Sequence, residues 1–283
     1  MAHLREFRKG DRRFALELIA AEGWETNPVL WDLLVAGKGR GGYVAEESNH
    51  RVGLAFVLRF QRTGWIHDVI VAPPWRRRGL GAELMDRAIN DLHAAGIETI
   101  HLDATTGGEP LYRKIGFRDD FQALRFGGIP QWSLPAADPR EVGPVSRKDL
   151  VSLLELDSQF FGDDRSDLLV GLWQGYPKLS AALRGRGGKV EGFALARPFA
   201  GGHVIGPVVA GPQDIDGVRT LIRNMEEFLG GASVKLYVPG VDPLPVRFAK
   251  EAKLASLASS NRMTLGPAAS QMGIWAELSG ECG

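Results

Sequence analysis

The most constraining feature of this sequence is the turn Arg76-Arg77-Arg78-Gly79-Leu80-Gly81, set between the strand-like run Trp65–Val71 and the start of an amphipathic helix. Gly79 and Gly81 lack a Cβ, so the backbone can take unusual dihedrals and an oxygen can approach its N–H groups closely. The free N–H groups of a helix's first turn point to the same place, where the helix dipole adds roughly half a positive charge. Three consecutive arginines add full charges, so the turn is a cradle for a pyrophosphate, with Arg77 or Arg78 placed for a further phosphate. A Gly-x-Gly before a helix can equally be a plain tight turn, and an Arg triplet a solvated face. Two other phosphate motifs do not fit. The dinucleotide fingerprint needs a third glycine where Glu83-Leu84 stand, and the Gly-Lys-Ser/Thr of a Walker loop is absent.

Around this turn, strand and helix patterns alternate. A strand at Leu4–Phe7 precedes helical periodicity over Asp11–Glu22, with Asp11 as its cap, and a second helical stretch over Asn27–Val35. Strands follow at Tyr43–Ala45, Val52–Arg59 and Trp65–Val71. Leu80, Leu84, Ala88 and Leu92 recur at spacing four, which predicts a helix over Leu80–Ala95 ended by Gly96. A strand at Thr99–Ala104, a short helix at Pro110–Ile115 and a strand at Phe117–Phe126 complete an α/β unit with a mixed sheet.

At 283 residues the chain has room for two cores, and the second half repeats the order of the first. Helices are expected at Arg147–Phe160, Asp214–Leu229 and Pro245–Lys253. Strands are expected at Gly192–Arg197, Val204–Val209, Val234–Val238 and Gly273–Leu278. Between the halves, Pro130, Pro135, Pro139 and Pro144 interrupt any periodicity. The expected division is a domain over 1–128, a linker over 129–143 and a domain over 144–283. Basic and acidic residues balance at 34 each, which argues against nucleic acid or an anionic membrane as partner. No apolar run is long enough to span a bilayer, and the opening residues lack the apolar region of a secretory signal. The single cysteine, Cys282, excludes an internal disulfide framework and a Cys cluster for a metal, and a reducing cytoplasm is the expected location.

Val71-Ala72-Pro73, then Arg76, Gly79 and Gly81, resemble the Gln/Arg-x-x-Gly-x-Gly/Ala signature of the GNAT N-acetyltransferases and the Val-x-Pro before it. Leu111-Tyr112-Arg113-Lys114-Ile115-Gly116-Phe117 is similar to the family's Leu-Tyr-x-Lys-x-Gly-Phe segment. Phe161–Arg165, Ala196-Arg197-Pro198, Ile205–Ala210 and Asn261-Arg262-Met263 resemble the C-terminal domain of the YitH-type tandem acetyltransferases. The sequence departs from that pattern at Lys253-Leu254-Ala255, where the group usually has Gly-Phe. The resemblance implies tandem GNAT-like mixed-sheet domains, acetyl-coenzyme A as cosubstrate without a metal, and direct transfer of acetyl to an amine with no acyl-enzyme. It places phosphates on Arg76, Arg77, Arg78, Gly79, Leu80, Gly81 and Ala82, and the pantetheine arm along Ile70, Val71 and Ala72 like an added strand. The N–H of Ile70 would polarise the thioester carbonyl. Tyr112 would supply the proton or hydrogen bond to the departing thiolate; otherwise it packs beneath the acetyl pocket.

His67 stands at the register where a histidine helps deprotonate substrate in arylalkylamine N-acetyltransferases; a histidine satisfied within the sheet is the alternative. Strict alternation turns Asp68 to the opposite face. Asp103 is a further candidate base, or a buried acid paired with an arginine, and Trp65 a wall on the side of His67. In the second half the corresponding turn reads Ala210-Gly211-Pro212-Gln213-Asp214-Ile215-Asp216, with acids where phosphates would bind. That domain is therefore expected to be degenerate and to shape the acceptor pocket, with Asp164, Arg165, Arg197, His203 and Arg262 as polar contacts. The acceptor expected is a small-molecule amine. The alternatives are a peptide or protein amine, or a non-catalytic acyl-coenzyme A sensor.

Overall fold

The computed structural model describes residues 2–132, 138–267, 273–280 and 282–283. The chain forms two compact units: Met1–Asp120 with Arg262–Ala268 and Cys282, and Phe121–Asn261 with Ala269–Glu281 and Gly283. Its first half runs β1 (His3–Glu6), α1 (Arg12–Ala21), α2 (Pro28–Val35), β2 (Arg40–Glu47), β3 (His50–Arg59), β4 (Thr63–Val71), α3 (Leu80–Ala94), β5 (Thr99–Ala104), α4 (Glu109–Ile115) and β6 (Arg118–Gly128). After these come β7 (Glu141–Gly143), α5 (Leu150–Phe161), α6 (Ser166–Gly175), β8 (Ser180–Arg184), β9 (Val190–Phe199), β10 (Gly202–Ala210), α7 (Ile215–Leu229), β11 (Ser233–Pro239), α8 (Pro243–Glu251), β12 (Ala255–Ser256), β13 (Ser260–Leu265) and β14 (Ile274–Ala276).

In the first unit, β1 to β4 form an antiparallel series and β5 adds parallel to β4. The apolar stripe of α3, Leu84, Met85, Ala88 and Leu92, packs on Ile66, Ile100 and Leu102 of one sheet face. Each leucine buried there contributes about 1.5–3 kcal/mol. Ala15, Leu18, Ile19 and Trp31 of α1 and α2 cover Leu54, Phe56 and Ile70 on the other face. Asn27 caps α2 by accepting the Leu30 N–H at 3.0 Å, and Pro28 opens the helix. Asp11 does not cap α1 as expected. Its carboxylate accepts the Arg8 N–H at 2.8 Å and pairs with Arg5, closing the turn before the helix.

The compact units are not continuous stretches of chain. From Phe121 onward β6 belongs to the second unit, where it pairs antiparallel with β11, Leu124 opposite Val238. Arg262–Leu265 of β13 belong to the first unit, beside β5. A boundary at residue 128 follows the chain, whereas compactness divides it at Asp120 because these strands are exchanged. Of the expected linker, residues 133–137 lie outside the described residues. Trp132 stacks on Phe248 at 5.6 Å, and Glu141–Gly143 form β7. Among the described residues, no helix is long and apolar enough to cross a membrane, and no group of three or more His, Cys, Asp or Glu is placed to hold a metal.

Candidate active site

The site begins with the way β4 leaves its neighbours. β4 pairs with β5 only over Thr63–Trp65 against Thr99–His101, although both strands continue. Beyond Trp65 the pairing stops, so among the described residues the β5-facing edge of β4 has no strand paired with it there. On its other edge β4 carries a bulge: Leu54 opposes Ile70 and Phe56 opposes His67, so Ala55 faces both Asp68 and Val69. Asp68 has φ +47°, in the left-handed region that a non-glycine residue seldom adopts.

The bulge corrects two expectations. Strict alternation no longer holds, and the side chains of His67 and Asp68 meet, with His67 Nδ1 3.2 Å from Asp68 Oδ2. The Ala72 N–H donates to Val52 O at 2.8 Å. By alternation in an antiparallel ladder, Ile70 also turns its N–H to β3, and the N–H groups of Val69 and Val71 face the open edge. The N–H of Ile70, expected to meet a thioester carbonyl, is thus turned to β3 instead, which the regular pattern of Trp65–Val71 does not reveal.

The turn after β4 feeds α3. Gly79 precedes the helix at φ +89°, without a side-chain cap, and the first helical bonds run from Ala82 and Glu83 to its carbonyl. The N–H groups of Leu80 and Gly81 therefore precede any helical acceptor. Arg76 ties the turn down: its Nε donates to Val71 O at 2.8 Å and its Nη2 pairs with Glu22. Arg77, with φ +64°, and Arg78, whose guanidinium lies 4.8 Å from the Trp75 ring, are exposed. A Cβ at Gly81 would meet Leu111 Cδ2 of α4 at 3.4 Å, close to ordinary van der Waals contact. Fixed N–H groups and exposed cations at one turn fit a pyrophosphate.

Tyr112 of α4 is buried, and burial pushes its phenol up to about 12. Its ring packs 6.1 Å from that of Phe117. A Cβ at Gly108 would come within 2.7 Å of its Cε2, so Gly108 makes room for the ring. Sequence reasoning did not single out Gly108; its place four residues before Tyr112, just ahead of a helix, was the available signal.

On the face opposite α3, buried polar groups gather. His67 is 5% exposed and stacks on Phe56 at 5.4 Å, and its Nε2 is buried with no hydrogen-bond partner among the described residues. Trp65 lies against His101 at 5.1 Å, and the Arg262 guanidinium covers the Trp65 ring at 4.4 Å. Arg262 Nε donates to Asp103 Oδ1 at 2.5 Å, both side chains nearly inaccessible. Asp103 is thus the buried acid paired with an arginine. Its partner comes from a segment assigned in sequence to the other domain.

The second unit has the same parts, filled from within. β10 and β11 pair in parallel over Gly202–Ile205 and Ser233–Leu236. Past that point β14 pairs antiparallel with β10, Val208 opposite Ala276, and the Glu277 N–H donates to Tyr237 O of β11 at 2.7 Å. At the start of α7, Asp214 accepts the Gly217 N–H at 3.0 Å and is held by Arg140 at 2.6 and 2.8 Å. A carboxylate of the chain itself occupies the place of an anion.

Of the acceptor contacts expected in the second half, only Arg262 lies in the first unit. Arg165 is fully buried, paired with Asp157 and donating to Gly283 O at 2.5 Å. It anchors Gly283 and is itself fully buried. Asp164 accepts the Ser166 N–H at 2.9 Å at the start of α6. Arg197 and His203 lie on adjacent strands, with Arg197 opposite Val204. Desolvation holds the His203 imidazole below its ordinary pKa.

Residues 38–119 and residues 153–273 each match a family model described as an acetyltransferase (GNAT) domain. No curated protein matches the chain. Among solved structures, a Pyrococcus horikoshii protein assigned as an acetyltransferase is 23% identical, over 100% of this chain and 96% of that one, with TM-score 0.79. A GCN5-related N-acetyltransferase from Sphaerobacter thermophilus is 18% identical over 96% and 98%, with TM-score 0.65. A tandem GNAT protein from the clavulanic acid biosynthesis pathway is 13% identical over 96% and 100%, with TM-score 0.69. At such identities these structures share the fold. The chain belongs to the GNAT acetyltransferases and carries two such domains in tandem.

Proposed function

We propose that the first unit binds one acetyl-coenzyme A and transfers its acetyl group to the primary amine of a small molecule, the second unit binding none. The observation that carries this reading is the contrast between two versions of one site: an open strand edge and arginine-glycine turn in the first unit, against β14 and the Asp214–Arg140 pair in the second. The seating of β14 on β10 supports an extended arm on the matching edge of β4. Arg77, Arg78 and the N–H groups of Leu80 and Gly81 hold the phosphates, and Val69 and Val71 offer N–H groups to the arm and the acyl oxygen.

Bound acetyl-coenzyme A supplies an electrophilic thioester and a thiol leaving group. His67 Nε2 accepts the proton of the acceptor amine, and Tyr112, kept protonated by burial, donates to the departing sulfur. The new N–C bond replaces the C–S bond, and the displaced proton balances the thiol released. Because His67 is buried, the amine must reach into the sheet, which favours a primary amine on an unhindered stem. The second half's motifs favour the YitH-type subgroup.

The test is free-thiol release from acetyl-coenzyme A across a library of small amines and peptides. Release stimulated by small amines supports the reading. Stimulation by peptides alone shifts the acceptor class, and binding without release under any amine makes the chain a sensor.

A further inference from the structure

We infer that Asp68 is a positioning residue that fixes the tautomer of His67, so that the bare nitrogen of the imidazole is the one in the site. The inference rests on the reading of His67 as the base.

Three observations converge. First, Asp68 Oδ2 lies 3.2 Å from His67 Nδ1, and the two side chains are 7% and 2% exposed. A carboxylate only accepts, so this contact places a proton on Nδ1, and in the neutral imidazole it leaves Nε2 with a lone pair. Second, Nε2 is buried without a hydrogen-bond partner among the described residues. A buried polar atom left so is costly unless a ligand completes it. Third, Asp68 holds φ +47° at a bulge that the fold can build otherwise. In the second unit the equivalent bulge sets Leu195 against Gly206-Pro207, preceded by Ile205, with neither histidine nor acid. The bulge therefore does not require the His-Asp pair, and the unit whose strand edge is filled by β14 lacks it.

The pair has a defined use. When Nε2 takes the amine proton the ring becomes cationic, and the adjacent carboxylate stabilises that charge while holding the ring plane. The neighbouring Phe56 of β3 is uncharged. The other titratable or charged groups gathered on this face, among the described residues, are His101 and Asp103 of β5, Asp120 of β6 and Arg262 of β13; Asp103 is paired with Arg262, and Asp120 accepts from Thr264 Oγ1 at 3.4 Å. Asp68 is thus the acid in contact with the imidazole.

The experiment uses the full chain with 15N-labelled histidine and the variants Asp68→Asn and Asp68→Gly. Asparagine is nearly isosteric, and glycine takes a positive φ freely, so the fold survives in at least one. Long-range 1H–15N spectra without substrate are expected to show His67 as the Nδ1–H tautomer, with Nε2–H gaining in both variants. Thiol release with the best amine should fall at least about tenfold, with the acid limb of kcat moved to lower pH and cofactor KM little changed. In a His67→Gln background, Asp68→Asn should cost little more. An Nε2–H tautomer in the parent protein, or tautomers indifferent to both variants, overturns the inference. If no amine accelerates thiol release, the functional reading fails while the spectra still decide the role of Asp68.

Discussion

Tyr112 and Gly108 carry the residue-scale argument. Tyr112→Phe keeps the ring and removes the proton, so kcat should fall by about tenfold or more while the cofactor dissociation constant stays within about twofold, measured by stopped-flow thiol release and calorimetry. The folded phenol ionises near 12 against 10.0 for the ordinary group, so the folded state holds its proton where the unfolded state releases it. Stability is full below pH 10 and declines as pH rises toward 12, by about 2–3 kcal/mol. Urea unfolding at pH 9 and pH 11 should therefore show a larger loss for the parent than for Tyr112→Phe. Gly108→Ala places a methyl within 2.7 Å of the Tyr112 ring, and should cost about 1–3 kcal/mol and lower turnover with it. Gly79, the obvious residue to mutate in the phosphate turn, is a poor probe, because its φ of +89° makes any side chain strained. Reversing the exposed pair Arg77 and Arg78 to Glu tests the same contacts without disturbing the fold.

At the scale of elements, β5 was read from sequence to the residue, and α3 and β4 to within two, because apolar spacing and the Pro and Gly breaks agree there. The bulge at Asp68 was invisible, since nothing in an alternating run marks one extra residue. α6 was missed because SDLLVGLWQG is apolar with a glycine inside and shows no clear stripe, and β8 because SAALR is short and rich in alanine. β13 hides for a different reason: Ser260, Asn261, Arg262 and Thr264 are all buried, against the rule that polar residues face water. They are buried because they meet polar partners, as in Arg262 with Asp103 and Thr264 with His101 at 2.9 Å. Arg262→Met should accordingly cost about 3–5 kcal/mol in urea unfolding, since it removes the buried guanidinium that Asp103 pairs with. Asp103→Leu in that background should recover much of the loss. A cost under 1 kcal/mol for the single variant would mean that the pair is not what holds β13 in place.

For the whole molecule, strand exchange makes the two halves interdependent. A fragment of residues 1–130 lacks Arg262–Leu265 beside β5, and a fragment of residues 140–283 lacks the β6 residues that pair with β11. Each alone exposes a strand edge and should aggregate or stay unfolded, whereas co-expression should restore a complex active in thiol release. Duplication was legible in the order of elements, but the exchange was not, because connectivity on paper does not say which of two equivalent units a strand joins. The two copies of the site have also diverged, and shared fold does not carry a ligand across. That divergence is tested most directly by calorimetric titration of the full chain with acetyl-coenzyme A. One site per chain is predicted, weakened at least about tenfold by Arg77→Glu with Arg78→Glu and unchanged by Asp214→Asn. Two sites per chain, or one site indifferent to the arginines and altered at Asp214, would contradict the account.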